Sequence, residues 1–311
     1  MIVIGAPEQL PPPHRPVCLA IGVFDGVHLG HQQIIRRAVE RARAHNARAL
    51  VLTFDRHPNA VVAPERVPPM IFTPRQKERA LAALGVDVLW VMRFDEATSR
   101  LSGEAFLRRL AQIPGGLGAV CVGADFVFGH QRSGNVALLQ RLGNELGFDV
   151  IAVPPVLLDG VAVSSTRIRE AIRRGDFADA TRLLGRDYAL AGTVVRGEGL
   201  GRRLGFPTAN LDTSGLVLPP NGVYAARARI GEALLPAVVN IGVRPTVSPA
   251  TGAPRVETHL LDFQDDVLGR ELELFPVARL RDEQKFPNLD TLRTQIGQDI
   301  AKARQILQSH R

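Results

Sequence analysis

Cysteine is almost missing. Only Cys18 and Cys121 occur in 311 residues, and each sits in an apolar, strand-like run. Two such thiols cannot build a disulfide framework, and they fit buried free thiols in a reducing cytoplasm. Long hydrophobic stretches are missing too. No run approaches the ~20 apolar residues of a membrane span, and the opening "MIVIGAPEQLPPPHRP" is too short and proline-broken for a secretory signal. Aromatic residues make up 5%, with one tryptophan and two tyrosines. Lysine occurs only at positions 77, 285 and 302, so arginine carries nearly all of the 38 positive charges behind a net charge of +7. The arginines are scattered, with no basic block and no interleaved aromatics. That speaks against a nucleic-acid surface and fits affinity for phosphorylated small molecules.

What is present is ordinary for a folded chain: 45% hydrophobic and 22% charged residues, in a length that predicts two domains. The first half alternates strand and helix. "PVCLAIG" (16–22), "ALVLTF" (49–54), "VDVLWVMRF" (86–94), "GAVCVGADF" (118–126) and "DVIAVPPVLL" (149–158) read as strands. Helical patterns fall at 31–46, 73–85, 102–112 and 135–147, the second opened by Thr73-Pro74 with Gln76 and closed by Gly85. This grammar predicts a parallel sheet covered on both faces, with ligands beyond the carboxyl ends of its strands. After Tyr188 the pattern changes to short strands between Gly, Pro and Asn turns, which predicts a small antiparallel barrel followed by a C-terminal helix over 289–308. A helix at 175–188, capped by Asp176 and ended by Gly185, marks the joint, giving domains of 1–185 and 186–311.

Chemistry concentrates in four stretches. "IGVFDGVHLGHQQII" (21–35) follows a strand and opens a helix. That geometry aims backbone N–H groups and the positive helix end at an anion. His28 and His31, three apart, can face the same phosphate. A zinc site would need further ligands, and a plain packed turn is the other reading. "SSTRIR" (164–169) sets hydroxyls and arginine at a second helix start, suited to phosphates or simply to capping. "GEGLGRRLGFPTANL" (197–211) is a glycine-rich loop, and its Thr208 and Asn210 carry oxygens of the kind a hard cation such as Mg²⁺ prefers. In "VETHLLDF" (256–263) alternation puts Glu257, His259, Leu261 and Phe263 on one face, and a glutamate on the buried side of a strand asks for a reason. The alternative for Glu257 is a solvent-facing place at a barrel rim.

These motifs resemble a known family. An HxGH turn after the first strand of a parallel sheet, with a Ser/Thr/Arg cluster after the last, is similar to the Rossmann-like nucleotidyltransferase superfamily. "LTFDRHP" (52–58) and "GADFVFGHQRSGN" (123–135) resemble the flavin and nucleotide loops of bacterial FAD synthetase modules, with Val127, His130 and Gln131 where the family has Arg, Lys and Gly. The 197–211 stretch, centred on Gly-Phe-Pro-Thr-Ala-Asn, resembles the riboflavin kinase signature. "NGVYAARA" (221–228), "VNIGVRPTV" (239–247) and "LRDEQKF" (280–286) also fit, while Asp266-Val-Leu-Gly269 lacks the family's usual tyrosine. Over roughly residues 15 to 306 the chain resembles the bacterial bifunctional riboflavin kinase/FAD synthetases.

The resemblance implies two reactions: riboflavin and ATP to FMN in the barrel domain, then FMN and ATP to FAD and pyrophosphate in the sheet domain. It implies phosphate and ATP contacts from Gly22, Phe24, Asp25, Gly30, Ser164, Ser165, Thr166 and Arg167, with His28 and His31 stabilising the phosphorus under attack. Phe54, Pro58, Asp125, Phe126 and Phe128 would hold the flavin. In the barrel it implies ATP contacts from Gly197, Gly201, Arg202, Gly205 and Pro207, Mg²⁺ on Thr208 and Asn210, and Glu257 as general base. Partners would be small molecules, not nucleic acid or membrane, with a homo-oligomer left open. A single-function nucleotidyltransferase with a flavin-binding barrel is the alternative.

Overall fold

A computed structural model describes residues 1–242 and 254–309, and the part of "VNIGVRPTV" from residue 243 onward lies outside them. The chain packs as two compact units, Met1–Pro69 with Pro74–Ser165, and Met70–Thr73 with the residues from Thr166 onward.

The first unit is built on six parallel strands, β1 (Ile2–Ile4), β2 (Val17–Ile21), β3 (Arg48–Phe54), β4 (Val88–Met92), β5 (Leu117–Gly123) and β6 (Asp149–Val153), in the order β1-β4-β3-β2-β5-β6. Every residue of β2 is buried, as a strand covered on both faces requires. The helices are α1 (Leu29–Ala44), α2 (Asn59–Val62), α3 (Pro74–Ala83), α4 (Glu96–Ser99), α5 (Gly103–Leu110) and α6 (Val136–Leu146). Helix α1 buries Gln32, Ile35, Ala38, Val39 and Ala42, a stripe at helical spacing. Ser102 and Asn135 cap α5 and α6 through their side chains, and Gly147 closes α6 in the left-handed region.

Two expectations need correction. The proline-broken opening contributes β1, an edge strand beside β4; three residues carry too little pattern to announce it. The run over 149–158 does not stay one strand. It stops at Val153 before Pro154-Pro155, whose missing N–H groups end the ladder. Beyond them a two-stranded ribbon forms from β7 (Leu157–Leu158) and β8 (Val161–Ala162).

The second unit carries α7 (Ser165–Arg174) from Thr166 on, then α8 (Phe177–Leu184), capped by the Asp176 carboxylate and closed by left-handed Gly185 as the sequence predicts. A closed antiparallel barrel follows: β9 (Leu190–Val195), β10 (Ala209–Asp212), β11 (Gly222–Ile230), β12 (Ala233–Gly242), β13 (Arg255–Leu260) and β14 (Glu271–Arg281), in the order β10-β13-β12-β11-β14-β9. A single turn, α9 (Leu200–Arg203), precedes β10, and α10 (Leu289–Ser309) lays Ala303 and Leu307 on Val223, Ala225 and Val238 of the barrel's outer face. Strand β10 is a further correction: the end of the glycine-rich stretch closes the barrel between β9 and β13.

The face of Glu257 is corrected too. Along β13 it is Val256, Thr258 and Leu260 that are buried, while Glu257 and His259 are half-exposed on the outer face. Leu261 continues that outer face beyond the strand, buried with Val223, Ala225 and Val238 and donating its N–H to the Pro236 carbonyl at 2.9 Å. Asp262 then turns left-handed at φ 57°, which ends the face before Phe263.

Candidate functional site

The order of the parallel sheet reverses between β2 and β5, and crevices open at such switch points beyond the carboxyl ends. The HxGH turn leaves β2 there. It is a tight 3₁₀ turn over Asp25–Val27 in which Phe24 (φ 49°), Gly26 (φ 77°) and Val27 (φ 40°) all adopt positive φ. For a β-branched residue such as Val27 this costs on the order of 1–3 kcal/mol, so surrounding bonds must hold it. They do. Gln32 Nε2 donates to the Val27 carbonyl at 3.0 Å, and Ser165 Oγ donates to the Asp25 carbonyl at 3.0 Å.

His28 is the N-cap of α1: its Nδ1 accepts from the His31 N–H at 3.4 Å. The two imidazoles stack, ring centres 3.5 Å apart and 22° from parallel, and Phe24 meets His31 edge-on at 5.2 Å. His28 is buried, and Gly30 lies in the first turn of α1. Cap, stacking and strained turn fix the two rings as one unit at the helix start.

Beside the turn lies an apolar cavity of about 550 Å³, lined among others by Gly22, Phe54, Pro58, Phe94, Phe126 and Phe128. Phe126 and Phe128 stack at 5.2 Å, and Phe54 meets Phe94 edge-on at 5.3 Å. Four of the five expected flavin residues therefore share one cavity; Asp125 is exposed outside its lining. His130, where the family carries Lys, donates its N–H to the Leu101 carbonyl at 2.7 Å and places Nδ1 3.1 Å from the Ser99 carbonyl. Gln131, where the family carries Gly, stands at φ 51°.

Of the second cluster, Ser165 joins the turn, Ser164 is half-buried just before α7 and Thr166 is exposed. Arg167 faces Asp179 of α8 at 3.6 Å.

In the barrel, a cavity of about 660 Å³ is lined by Gly197, Arg202, Pro207, Thr208 and Asn210, with Leu268 where the family's tyrosine would stand. A Cβ on Gly197 would lie 2.0 Å from Asn210 Nδ2, so only glycine lets that amide lie against the loop. Gly205 is left-handed at φ 89° just after α9. A smaller cavity of about 320 Å³ lies alongside, lined by Glu257, Asn240, His259, Phe206 and Ile296, with Gly201 and Thr208. Thr208 lines both. Asn210 and Asn240 are the cross-strand partners of Glu257 in β10 and β12, so the three side chains form one rung on the outer face. The Glu257 carboxylate has no hydrogen-bond partner among the described residues. His259 Nδ1 lies 2.7 Å from the carbonyl of Pro207, one residue before Thr208.

Sequence reasoning placed His259 on the face of Glu257 but missed Asn240 and Lys77. Asn240 needed the barrel register. Lys77, on α3, donates from Nζ to the Val23 carbonyl at 2.8 Å. Burial pushes its ammonium below the usual lysine range, partly offset by the Asp25 carboxylate. Its only sequence signal was the scarcity of lysine.

A chain with two glycine-framed clefts, an apolar one beside stacked histidines and one beside the Glu257 carboxylate, has the layout of a two-site transferase acting on phosphates. Comparison with known proteins agrees. A family model for FAD synthetase matches residues 10–167, and one for riboflavin kinase matches residues 184–307. The chain is 38% identical over 294 residues to the bifunctional riboflavin kinase/FMN adenylyltransferase of Escherichia coli K12, covering 94% of this chain and 93% of that one. To the protein of the same description from Pseudomonas fluorescens it is 40% identical over 304 residues, covering 98% and 97%. A crystal structure from Streptococcus pneumoniae, described as a macrolide-efflux protein, aligns with a TM-score of 0.80 at 30% identity over 97% of this chain and 98% of that one. The activity in that description is said of the pneumococcal protein; among the described residues here, no helix is long and apolar enough to cross a membrane. The chain belongs to the bifunctional riboflavin kinase/FMN adenylyltransferase family.

Proposed function

We infer that this chain makes both flavin cofactors in sequence. In the barrel, riboflavin's 5′-hydroxyl loses its proton to Glu257 as its oxygen attacks the γ-phosphorus of ATP, and ADP leaves. The half-buried carboxylate, without a hydrogen-bond partner among the described residues, is suited to that base role, and the 320 Å³ cavity has apolar walls from Phe206 and Ile296 for a ring system. Thr208 and Asn210 line the neighbouring cavity and offer neutral oxygens. No group of three or more His, Cys, Asp or Glu able to cage a metal occurs among the described residues. That donor set fits Mg²⁺, which keeps water and substrate phosphates among its ligands. When bound, Mg²⁺ supplies charge neutralisation at the phosphate oxygens.

In the sheet unit, an oxygen of the FMN phosphate attacks the α-phosphorus of ATP and pyrophosphate departs. The nucleophile is already an anion, so no covalent enzyme intermediate is needed. His28, His31 and the N–H groups at the start of α1 stabilise the five-coordinate phosphorus, with Ser165 and its neighbours on the phosphates. Phe54, Pro58, Phe126 and Phe128 receive the flavin ring. The functional division runs at 185, where Gly185 closes α8. The substrates are small molecules, and free buried thiols fit work in the cytoplasm.

The observation that carries this reading is the rung that aligns Glu257 with Asn210, setting a base and a metal-seeking amide side by side between two cavities. The test is direct: incubate the chain with riboflavin, ATP and Mg²⁺ and separate the flavins by chromatography. Riboflavin passing through FMN to FAD is expected. FAD formed from FMN but no FMN from riboflavin would leave a single-function nucleotidyltransferase, and no flavin product would overturn the reading.

A further inference from the structure

The strained HxGH turn works only if its carbonyls stay tucked in, because a planar trans peptide points its N–H opposite to its C=O. The Asp25 carbonyl is held by Ser165 and the Val27 carbonyl by Gln32. The Val23 carbonyl, at the entrance to the turn, is held twice. Thr53 Oγ1 donates to it at 3.0 Å from the end of β3, and Lys77 Nζ donates to it at 2.8 Å from α3. Both donors are buried, Thr53 at 2% exposure and Lys77 at 8%, whereas Lys285 and Lys302 are exposed. A buried ammonium is costly unless it is used. On the other edge of the Val23–Phe24 peptide, the Phe24 N–H has no hydrogen-bond partner among the described residues, although Phe24 itself is 2% exposed. Buried N–H groups are nearly always paired, so this one points to a ligand acceptor.

We propose that Lys77 and Thr53 are positioning residues for adenylyl transfer, clamping the Val23 carbonyl so that the Phe24 N–H faces a phosphate oxygen of ATP beside the stacked histidines. This rests on the reading of the sheet unit as an FMN adenylyltransferase. Lys77 touches no reacting atom. Its charge, set close to the buried Asp25 carboxylate, anchors the first residue of the turn, and the turn fixes the direction of the amide. Thr53 shares the same acceptor and lies 3.5 Å from Lys77 Nζ, so the two form one clamp from two elements.

The experiment compares parent, Lys77→Met, Thr53→Val and Thr53→Ser for FAD formation from FMN and ATP. The riboflavin kinase rate of each preparation and its circular dichroism serve as controls. Lys77→Met is expected to lower kcat about tenfold, as loss of one aligned hydrogen bond in the transition state would, with KM for ATP within about twofold. Thr53→Val lowers kcat less, and Thr53→Ser, which keeps the hydroxyl, returns it to the parent value. Folded variants with parental kcat, or a loss confined to KM, overturn the proposal. If Lys77→Met does not fold, Thr53→Val against Thr53→Ser decides it, because equal rates in that pair also overturn it. A parent that forms no FAD overturns the underlying reading and this inference with it, whereas an active parent with unaltered variants overturns the inference alone.

Discussion

Ser165 and Asp25 stand 140 residues apart in the chain, yet the Ser165 hydroxyl donates to the Asp25 carbonyl across 3.0 Å. The bond ties the residue that opens α7 to the turn that carries the histidines. It gives a physical reason for the pairing of the HxGH and SSTRIR motifs: one braces the other.

Removing that brace has a defined consequence. Ser165→Ala loses one hydrogen bond, worth about 0.5–1.5 kcal/mol, from a turn that stores strain. FAD formation from FMN should slow about tenfold, while FMN formation from riboflavin in the same preparation stays at the parental rate. Equal slowing of both reactions would contradict the assignment.

The division of labour can be separated by single changes. Glu257→Gln keeps the shape of the rung with Asn210 and Asn240 but cannot accept a proton. It should abolish FMN formation from riboflavin and leave FAD formation from supplied FMN. His28→Ala should do the reverse and accumulate FMN, with a loss of roughly 10²–10³ in adenylyl transfer. Chromatography of the flavin products reads both outcomes.

The flavin loop depends on glycines packed backbone to backbone. A Cβ on Gly103 would lie 2.6 Å from Gly134 Cα, and Gly134 pairs with Phe128 through hydrogen bonds of 2.8 and 3.1 Å. Gly103→Ala should therefore cost about 1–3 kcal/mol in urea denaturation. It should also raise KM for FMN severalfold by displacing Phe128 from the cavity wall.

Gln131 offers a gain instead of a loss. At φ 51° a side chain costs about 1–2 kcal/mol, and glycine returns about 0.5–1 kcal/mol of that as chain entropy. Gln131→Gly is thus expected to raise stability by about 0.5–1 kcal/mol, visible as a higher urea midpoint.

The cysteines set an alkaline limit. Burial pushes the Cys121 thiol up to about 12, with Cys18 adding to the shift, and burial raises Cys18 as well. The unfolded thiols ionise near ~8.5. Their contribution to stability is present below that pH and is lost as pH rises through the folded values. Native protein at pH 8 should not react with a thiol reagent until denaturant is added, and stability should fall between about pH 8.5 and 12. Cys18→Ser with Cys121→Ser should flatten that slope.

The sequence by itself determined the two architectures and the family. Alternating strand and helix patterns, helix-end signals such as Asp176 and Gly185, and motifs such as Gly-Phe-Pro-Thr-Ala-Asn are local signals, read from neighbours along the chain. It did not reveal β1, too short to carry a period, nor β10, whose four residues hid in a glycine-rich stretch. The face of Glu257 was also misjudged, because strand alternation says which residues share a side but not which side a closed barrel buries. Tertiary structure alone decided the partners: Asn210 and Asn240 beside Glu257, Pro207 beneath His259, and Ser165 and Lys77 on the carbonyls of one strained turn. Each of these joins residues distant in sequence through register or packing, and no local pattern encodes such a contact.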